Sequence, residues 1–277
     1  AYPQTGNKAV DKEIADWAKG EVAQFRDEAA GNDGDASVSA YTLNISYEVA
    51  RNDEKVFAVV FSESTYEGGA HPNGFFNTMN FLMPDGWQVY MPEIFTPEAL
   101  KTISRLATAD LKKQLQPDEG FDADMIRNGA GPEWGNFADF TILPDVLDIQ
   151  YAPYAVAPYM AGPQETKIPF SALKPYFRPD WRAPQASFDC AKASAWIEKM
   201  ICSDVNLARL DRTVADVYVT RLGEANSDAA RLPVRGDQRE FLAARMKMCG
   251  GRAGPSAVAC LTAQYKERLK VLNTPPQ

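Results

Sequence analysis

The sequence predicts an α+β protein, in which an N-terminal antiparallel sheet with packed helices is followed by a small disulfide-linked all-α domain. Three observations carry this. Apolar residues recur at helical spacing, then alternate at period two through a series of paired runs, then return to helical spacing after residue 187. The turns between the period-two runs have hairpin chemistry. All four cysteines, Cys190, Cys202, Cys249 and Cys260, fall in the last third.

Taken in order, Val10, Ile14, Trp17 and Phe25 recur near the 3.6 period and predict a first helix. Leu43, Ile45, Tyr47 and Val49 alternate with polar residues, Asn52-Asp53 makes a turn, and KVFAVVFSESTY continues as a second strand. FFNTMNFL and WQVY flank Met83-Pro84-Asp85-Gly86, a third turn signal. Thr96 and Pro97 then open a helix whose apolar face is Leu100, Ile103, Ala107, Leu111 and Leu115. Strands return in NFADFTIL, VLDIQY and ETKIPF. The proline-bearing stretch from Tyr176 to Gln185 reads as a linker, so the expected organisation is residues 1–178, a linker over 179–186, and residues 187–277. In the last part KASAWIEKMIC is helical, Asp204 can cap the next helix, GDQREFLAARMKMC ends on Gly250-Gly251, and AVACLTAQYKERLKVL closes the chain. Four short helices have a thin core, and disulfides are the expected supplement.

Composition narrows the function. A formal charge of −8 argues against nucleic acid as a partner. No apolar run reaches the ~18 residues a membrane helix needs. The cysteines lack the close pairing and the neighbouring histidines of a zinc site, so two disulfides and an oxidising compartment are expected. The sequential pairing Cys190–Cys202 and Cys249–Cys260 is favoured among three possible connectivities. A start at Ala1-Tyr2-Pro3 suits a mature product, periplasmic or secreted, after removal of a signal peptide.

Catalytic chemistry is hard to find. The only histidine, His71, lies in STYEGGAHPNGFF, which excludes a histidine-rich metal site and leaves no metal or cofactor expected. There is no Gly-x-Ser-x-Gly elbow, Walker loop or Rossmann fingerprint. SALK, Ser171 to Lys174, matches Ser-x-x-Lys without its companion motifs. Glu133 with Asp139, and Glu63 with Glu67, are candidate acid pairs, for which solvated surface acids are the plainer reading. Gly68 and Gly69 predict a sharp loop, which His71 can brace by hydrogen bonding to backbone. Tyr66, Glu67, His71 and Asn73 are the candidate partner contacts on it.

YEGGAHPNG, followed by a strand, PDGWQVYMPEIF and a long helix, resembles the extracytoplasmic domain of the lysozyme-sensing anti-sigma factor, a domain also found beside the catalytic domain of a peptidoglycan deacetylase. DIQYAPYAVAPYMAGPQETKIPF carries the second signature, with Pro153, Tyr154, Ala157, Pro158, Tyr159, Gly162 and Pro163 in place. This resemblance spans most of residues 10–178 and departs at Pro72, where glycine is common. Residues 187–272, with SFDCAKASAWIEKMICSDVNLARLDRTVADVY, resemble the helical module of LprI-type lysozyme inhibitors. Neither resemblance implies catalytic residues. Together they imply a non-enzymatic envelope protein that binds a lysozyme-like hydrolase, a basic protein attracted by the acidic charge, and inhibits or senses it. The alternative is a cell-wall glycan-binding module accessory to peptidoglycan metabolism. In that reading Trp87, Trp134, Trp181 and the Tyr151–Tyr159 run are the candidates for stacking on sugars, with core packing the plainer reading of the same aromatics.

Overall fold

The computed structural model describes residues 1–30, 41–115, 122–178, 181, 185–225 and 227–273. In chain order the elements are α1 (Lys8–Ala30), β1 (Thr42–Asn52), β2 (Val56–Tyr66), β3 (Asn73–Leu82), β4 (Trp87–Gln88), α2 (Met91–Ile94), α3 (Ala99–Leu115), α4 (Ala123–Gly129), β5 (Phe140–Ile142), β6 (Val146–Tyr151), β7 (Gln164–Pro169), α5 (Phe170–Leu173), α6 (Trp196–Ser203), α7 (Val205–Glu224), α8 (Asp228–Cys249) and α9 (Gly254–Asn273). The α+β class predicted from the sequence is the class observed. Among the described residues no helix is long and apolar enough to cross a membrane. The chain divides into two compact units, residues 1–89 with 101–175, and residues 90–100 with 176–277.

The first unit holds two antiparallel sheets, one in the order β1-β2-β3-β4 and one in the order β5-β6-β7. The helix α1 starts where the Asn7 side chain accepts from the Ala9 and Val10 N–H groups, a cap that satisfies two otherwise orphaned donors. The same amide donates to Pro84 O at 2.6 Å, which ties the helix start to the β3–β4 turn. Val10 and Ile14 pack on Phe57, Val59, Phe61, Met79 and Phe81, with Trp17 4.2 Å from Phe61 between ring centroids. At the β1–β2 turn Asp53 accepts from the Lys55 and Val56 N–H groups. The Arg51 side chain, with those two N–H groups, holds the Asp53 carboxyl down at about 2.

The two sheets are spliced by side chains. Asn80 of β3, 1% exposed, donates to Phe140 O at 2.7 Å and accepts from Ile142 N at 2.8 Å. Two residues earlier, the Thr78 hydroxyl accepts from Phe140 N at 2.8 Å. A strand edge normally finds its partner in another backbone. Here β5 finds much of its partner in an amide and a hydroxyl, which reproduce the donor and acceptor a strand would offer.

The second unit is helical. Asp204 caps α7 by accepting from Leu207 N at 2.9 Å, as its sequence position predicts. The helix α8 begins at Asp228, eight residues before the Gly236 at which the sequence pattern begins, with Ser227 as its cap. Pro233 lies inside it, where the lost N–H removes one bond while the turns on either side continue. Disulfides join Cys190 to Cys202 and Cys249 to Cys260. Polar side chains are buried at the centre. Asp211 accepts from the Ser187 N–H and hydroxyl at 2.8 and 2.6 Å and from the Tyr265 hydroxyl at 2.6 Å. Glu93 on α2 faces Arg209 at 3.5 Å, both nearly inaccessible. Burial outweighs that cation and pushes the Glu93 carboxyl up to about 7.

The segment 90–100 therefore packs with the helical unit, although it lies far from it in sequence. Phe95 bridges Phe177, and Arg178 donates to Pro92 O and Phe95 O. A four-residue helix such as α2 is too short to show a period, so pattern reading passes over it. Of the linker anticipated over 179–186, residues 179, 180 and 182–184 lie outside the described residues. NFADFTIL is not all strand, because residues Trp134–Phe137 form a 3₁₀ turn and the strand starts at Phe140.

The splice makes a sharp prediction. Asn80→Leu keeps the side-chain volume and strands the Phe140 carbonyl and the Ile142 N–H in the core. It should lower unfolding stability by about 2–4 kcal/mol, read by denaturant titration. A loss below about 0.5 kcal/mol would mean water replaces the amide without penalty.

Candidate functional site

Two loops meet at the end of the first unit. The β2–β3 hairpin, in register from Val56↔Leu82 to Thr65↔Asn73, carries residues 67–72 at its tip. Gly68 and Gly69 have φ of 88° and 110°. A Cβ at Gly69 would meet nothing within 4 Å, so backbone conformation and not space demands glycine there. The Tyr66 hydroxyl donates to Gly69 O at 3.1 Å and closes the loop on itself. The second loop follows β6. Val156 and Ala157 are buried, and a Cβ on Gly129 at the end of α4 would lie 1.8 Å from Ala155 O, so only glycine allows that approach. Gly74 of the hairpin lies against Pro153 of this loop.

The contact brings His71 to Tyr154 and Tyr159. The imidazole stacks on Tyr159, with centroids 3.8 Å apart and planes 17° apart. Tyr154 lies 6.1 Å from His71 and 5.5 Å from Tyr159. His71 Nδ1 is 2.9 Å from Pro72 O, which can only accept, so Nδ1 carries a proton. In the neutral ring, Nε2 then accepts from the Tyr154 hydroxyl at 3.2 Å. Tyr154 has φ of 72°, the only left-handed non-glycine residue among those described. Among the described residues the one backbone contact of the imidazole is to the adjacent Pro72 O, and its other contacts are to the two tyrosines.

Of the other sequence candidates, Glu67 and Asn73 are exposed near the hairpin tip and make no hydrogen bond to the three rings. Trp87, Trp134 and Tyr151 are buried at 8, 5 and 2% exposure, which removes them as sugar platforms, and Trp181 is half-buried. Ser171 and Lys174 are exposed, with Ser171 on the four-residue α5. Glu63 lines one cleft with Glu67 and is also coupled electrostatically to Asp139. Burial first, then the charge of Glu21, pushes Glu63 up to about 7. Burial, reinforced by the charge of Glu63 and opposed by the Thr78 N–H, pushes Asp139 up to about 7. Glu63 and Glu67 line an open cleft of about 290 Å³ with Glu21, Glu28, Phe25 and Phe75. Among the described residues no group of three or more His, Cys, Asp or Glu is placed to hold a metal ion.

Charge is divided unevenly. The first unit has 24 acidic and 13 basic residues, a net −11, and the second has 13 acidic and 16 basic, a net +3. The acidic attraction invoked for a basic partner thus belongs to the sheet unit alone.

Comparison with known proteins adds the following. Residues 1–74 match the family model described as Deacetylase PdaC, and residues 92–171 match that described as a protein of unknown function, DUF3298. A curated relative, the peptidoglycan-N-acetylmuramic acid deacetylase PdaC of Bacillus subtilis (strain 168), is 30% identical over 175 residues. That alignment covers 62% of this chain and 37% of the relative. Two solved DUF3298-family structures are similar, both with a TM-score of 0.43. The one from Bacteroides fragilis is 17% identical and covers 61% of this chain and 66% of that one. The one from Pseudomonas aeruginosa is 19% identical and covers 52% and 66%. The Deacetylase PdaC family model and the curated relative support the deacetylase-associated part of the resemblance read from the sequence, and not its lysozyme-sensing or LprI-type parts. His71 falls in one matched segment, and Tyr154 and Tyr159 in the other.

These matches overturn one expectation. The chain was expected not to be an enzyme because it has one histidine and no catalytic motif. It is instead similar to a protein named as a deacetylase and matches a family model of that name. An inventory of side chains within a chain spanning 37% of that relative does not bear on the chemistry of the whole.

The Asp139 carboxyl ionises near 3.8 when unfolded and near 7 when folded. Between those values the folded chain keeps a proton the unfolded chain has lost, so stability falls as pH rises across the window and levels off above it. Glu63 acts in the same direction. Asp139→Asn keeps an acceptor for Thr78 and removes the titration. Its melting temperature should fall less steeply than the parent's between about pH 4 and about pH 7, and should exceed the parent's at higher pH. An unchanged slope would assign the dependence to other groups.

Proposed function

We propose that this chain is a peptidoglycan-associated module that holds cell-wall glycan in the service of peptidoglycan-modifying chemistry. The observation that carries it is the similarity to a named peptidoglycan deacetylase, together with the match of the histidine loop to the family model of that name. The cluster supports it physically. His71, Tyr154 and Tyr159 gather on a surface where Tyr154 is 53% exposed, while the tryptophans at 87 and 134 are spent in the core. Aromatic rings with one apolar face and a polar tip are suited to sugars, which present the same division. Two disulfides support an oxidising location, periplasmic or secreted, where such a glycan is met. Inhibition or sensing of a lysozyme-like hydrolase has less behind it, because the helical unit that would supply the inhibitor carries +3.

Purified sacculi stripped of protein provide the test. The chain should co-sediment with them, and the bound fraction should survive high salt and be released by soluble glycan fragments. Failure to sediment at any salt concentration would end the glycan-holding reading.

A further inference from the structure

We infer that His71, Tyr154 and Tyr159 form a stacking subsite for one uncharged pyranose ring of a glycan strand. This rests on the glycan-holding reading and assigns the place and the chemistry of contact. Three features point to it. First, the three rings gather within 6.1 Å of one another and Tyr154 is 53% exposed, so an aromatic surface is open to a ligand. Second, their orientation is fixed before any ligand arrives. Pro72 O sets the histidine tautomer and Nε2 holds the Tyr154 hydroxyl, so little side-chain entropy remains to be lost on binding. Third, Tyr154 stands at φ 72°, where a bulky residue is strained and glycine is not. Backbone strain kept for the sake of an exposed ring points to a use for the ring.

The hydrogen bonds and ring contacts of the three side chains are to one another and to Pro72, with no charged partner among them. A neutral ring is therefore the matching ligand. A nucleobase stacks equally well, but its phosphates would face a unit of net −11. The apolar C–H face of a pyranose would lie on Tyr154, with its hydroxyls toward solvent and the tyrosine O–H groups.

Calorimetric titration with the soluble N-acetylglucosamine tetramer tests this on the full chain and on Tyr154→Gly, Tyr154→Phe and Tyr159→Ala. Tyr154→Gly should melt at or above the parent temperature, since it relieves the backbone, yet bind the tetramer at least about tenfold more weakly. Tyr159→Ala should lose a similar factor, and Tyr154→Phe should stay within about threefold, since the face is retained. Parent affinity should hardly change from about 0.1 M to about 1 M NaCl, over which the Debye length falls from about 10 to about 3 Å. Parent-like binding by Tyr154→Gly overturns the subsite, as does binding that salt abolishes or that only the deacetylated, cationic tetramer shows. Sacculus sedimentation of the same variants separates the two levels. A parent that sediments alongside a Tyr154→Gly that sediments equally well leaves the glycan-holding reading intact and removes this subsite. A parent that binds neither sacculi nor tetramer removes both.

Discussion

Asn80 is the constraint on which the aromatic site depends. Its amide offers β5 one donor and one acceptor in the core, and so joins a sheet that carries His71 to a sheet that leads into Tyr154. The histidine and the tyrosine are 83 residues apart in sequence. A backbone pairing could tolerate a slip of two residues with little change in chemistry. A single amide flanked by one threonine cannot, because only one register presents both partners to Phe140 and Ile142. The geometry of the surface cluster thus depends on a buried polar group that joins the two sheets.

The cluster shows what such rigidity allows. Gly129 admits the Ala155 carbonyl where any larger residue would push it out, and Gly69 turns the hairpin tip through angles closed to other side chains. Tyr154 departs from this economy by taking a glycine-like conformation with a large ring attached. Surrounding structure has to over-determine a residue in that state. Here that means the buried Val156 and Ala157 after it and the packing of Pro153 on Gly74 before it.

Much of the fold was legible in the sequence wherever local chemistry decides conformation. The alternation in β1, the apolar run of β2, the Asp53 turn, the Asp204 cap and the Pro84-Asp85-Gly86 turn all act within a few residues, and pattern or side-chain chemistry reports them. What escaped was long-range. Nothing in NFADFTIL says that its strand would pair with a side chain. Tryptophan at 87 or 134 reads the same whether it faces sugar or core. The acids at 63 and 139 were matched with sequence neighbours, whereas their electrostatic coupling is across 76 positions. The histidine loop and the tyrosine run were each visible as motifs, but their stacking is a property of two sheets joined by Asn80.

The course of the chain through its two units bears on how such a protein can be divided or inherited. It crosses from one unit to the other three times, after residues 89, 100 and 175. A gene truncated at residue 176 would still encode Met91, Ile94 and Phe95, all buried against helices no longer made, together with a Glu93 deprived of Arg209. Conversely, a gene fragment beginning at residue 176 would bury Arg209 without the carboxylate that answers it. The helical half is therefore not an appendage that recombination at a single junction could add or remove. Whichever side of such a junction is kept, buried groups lose the partners encoded on the other side.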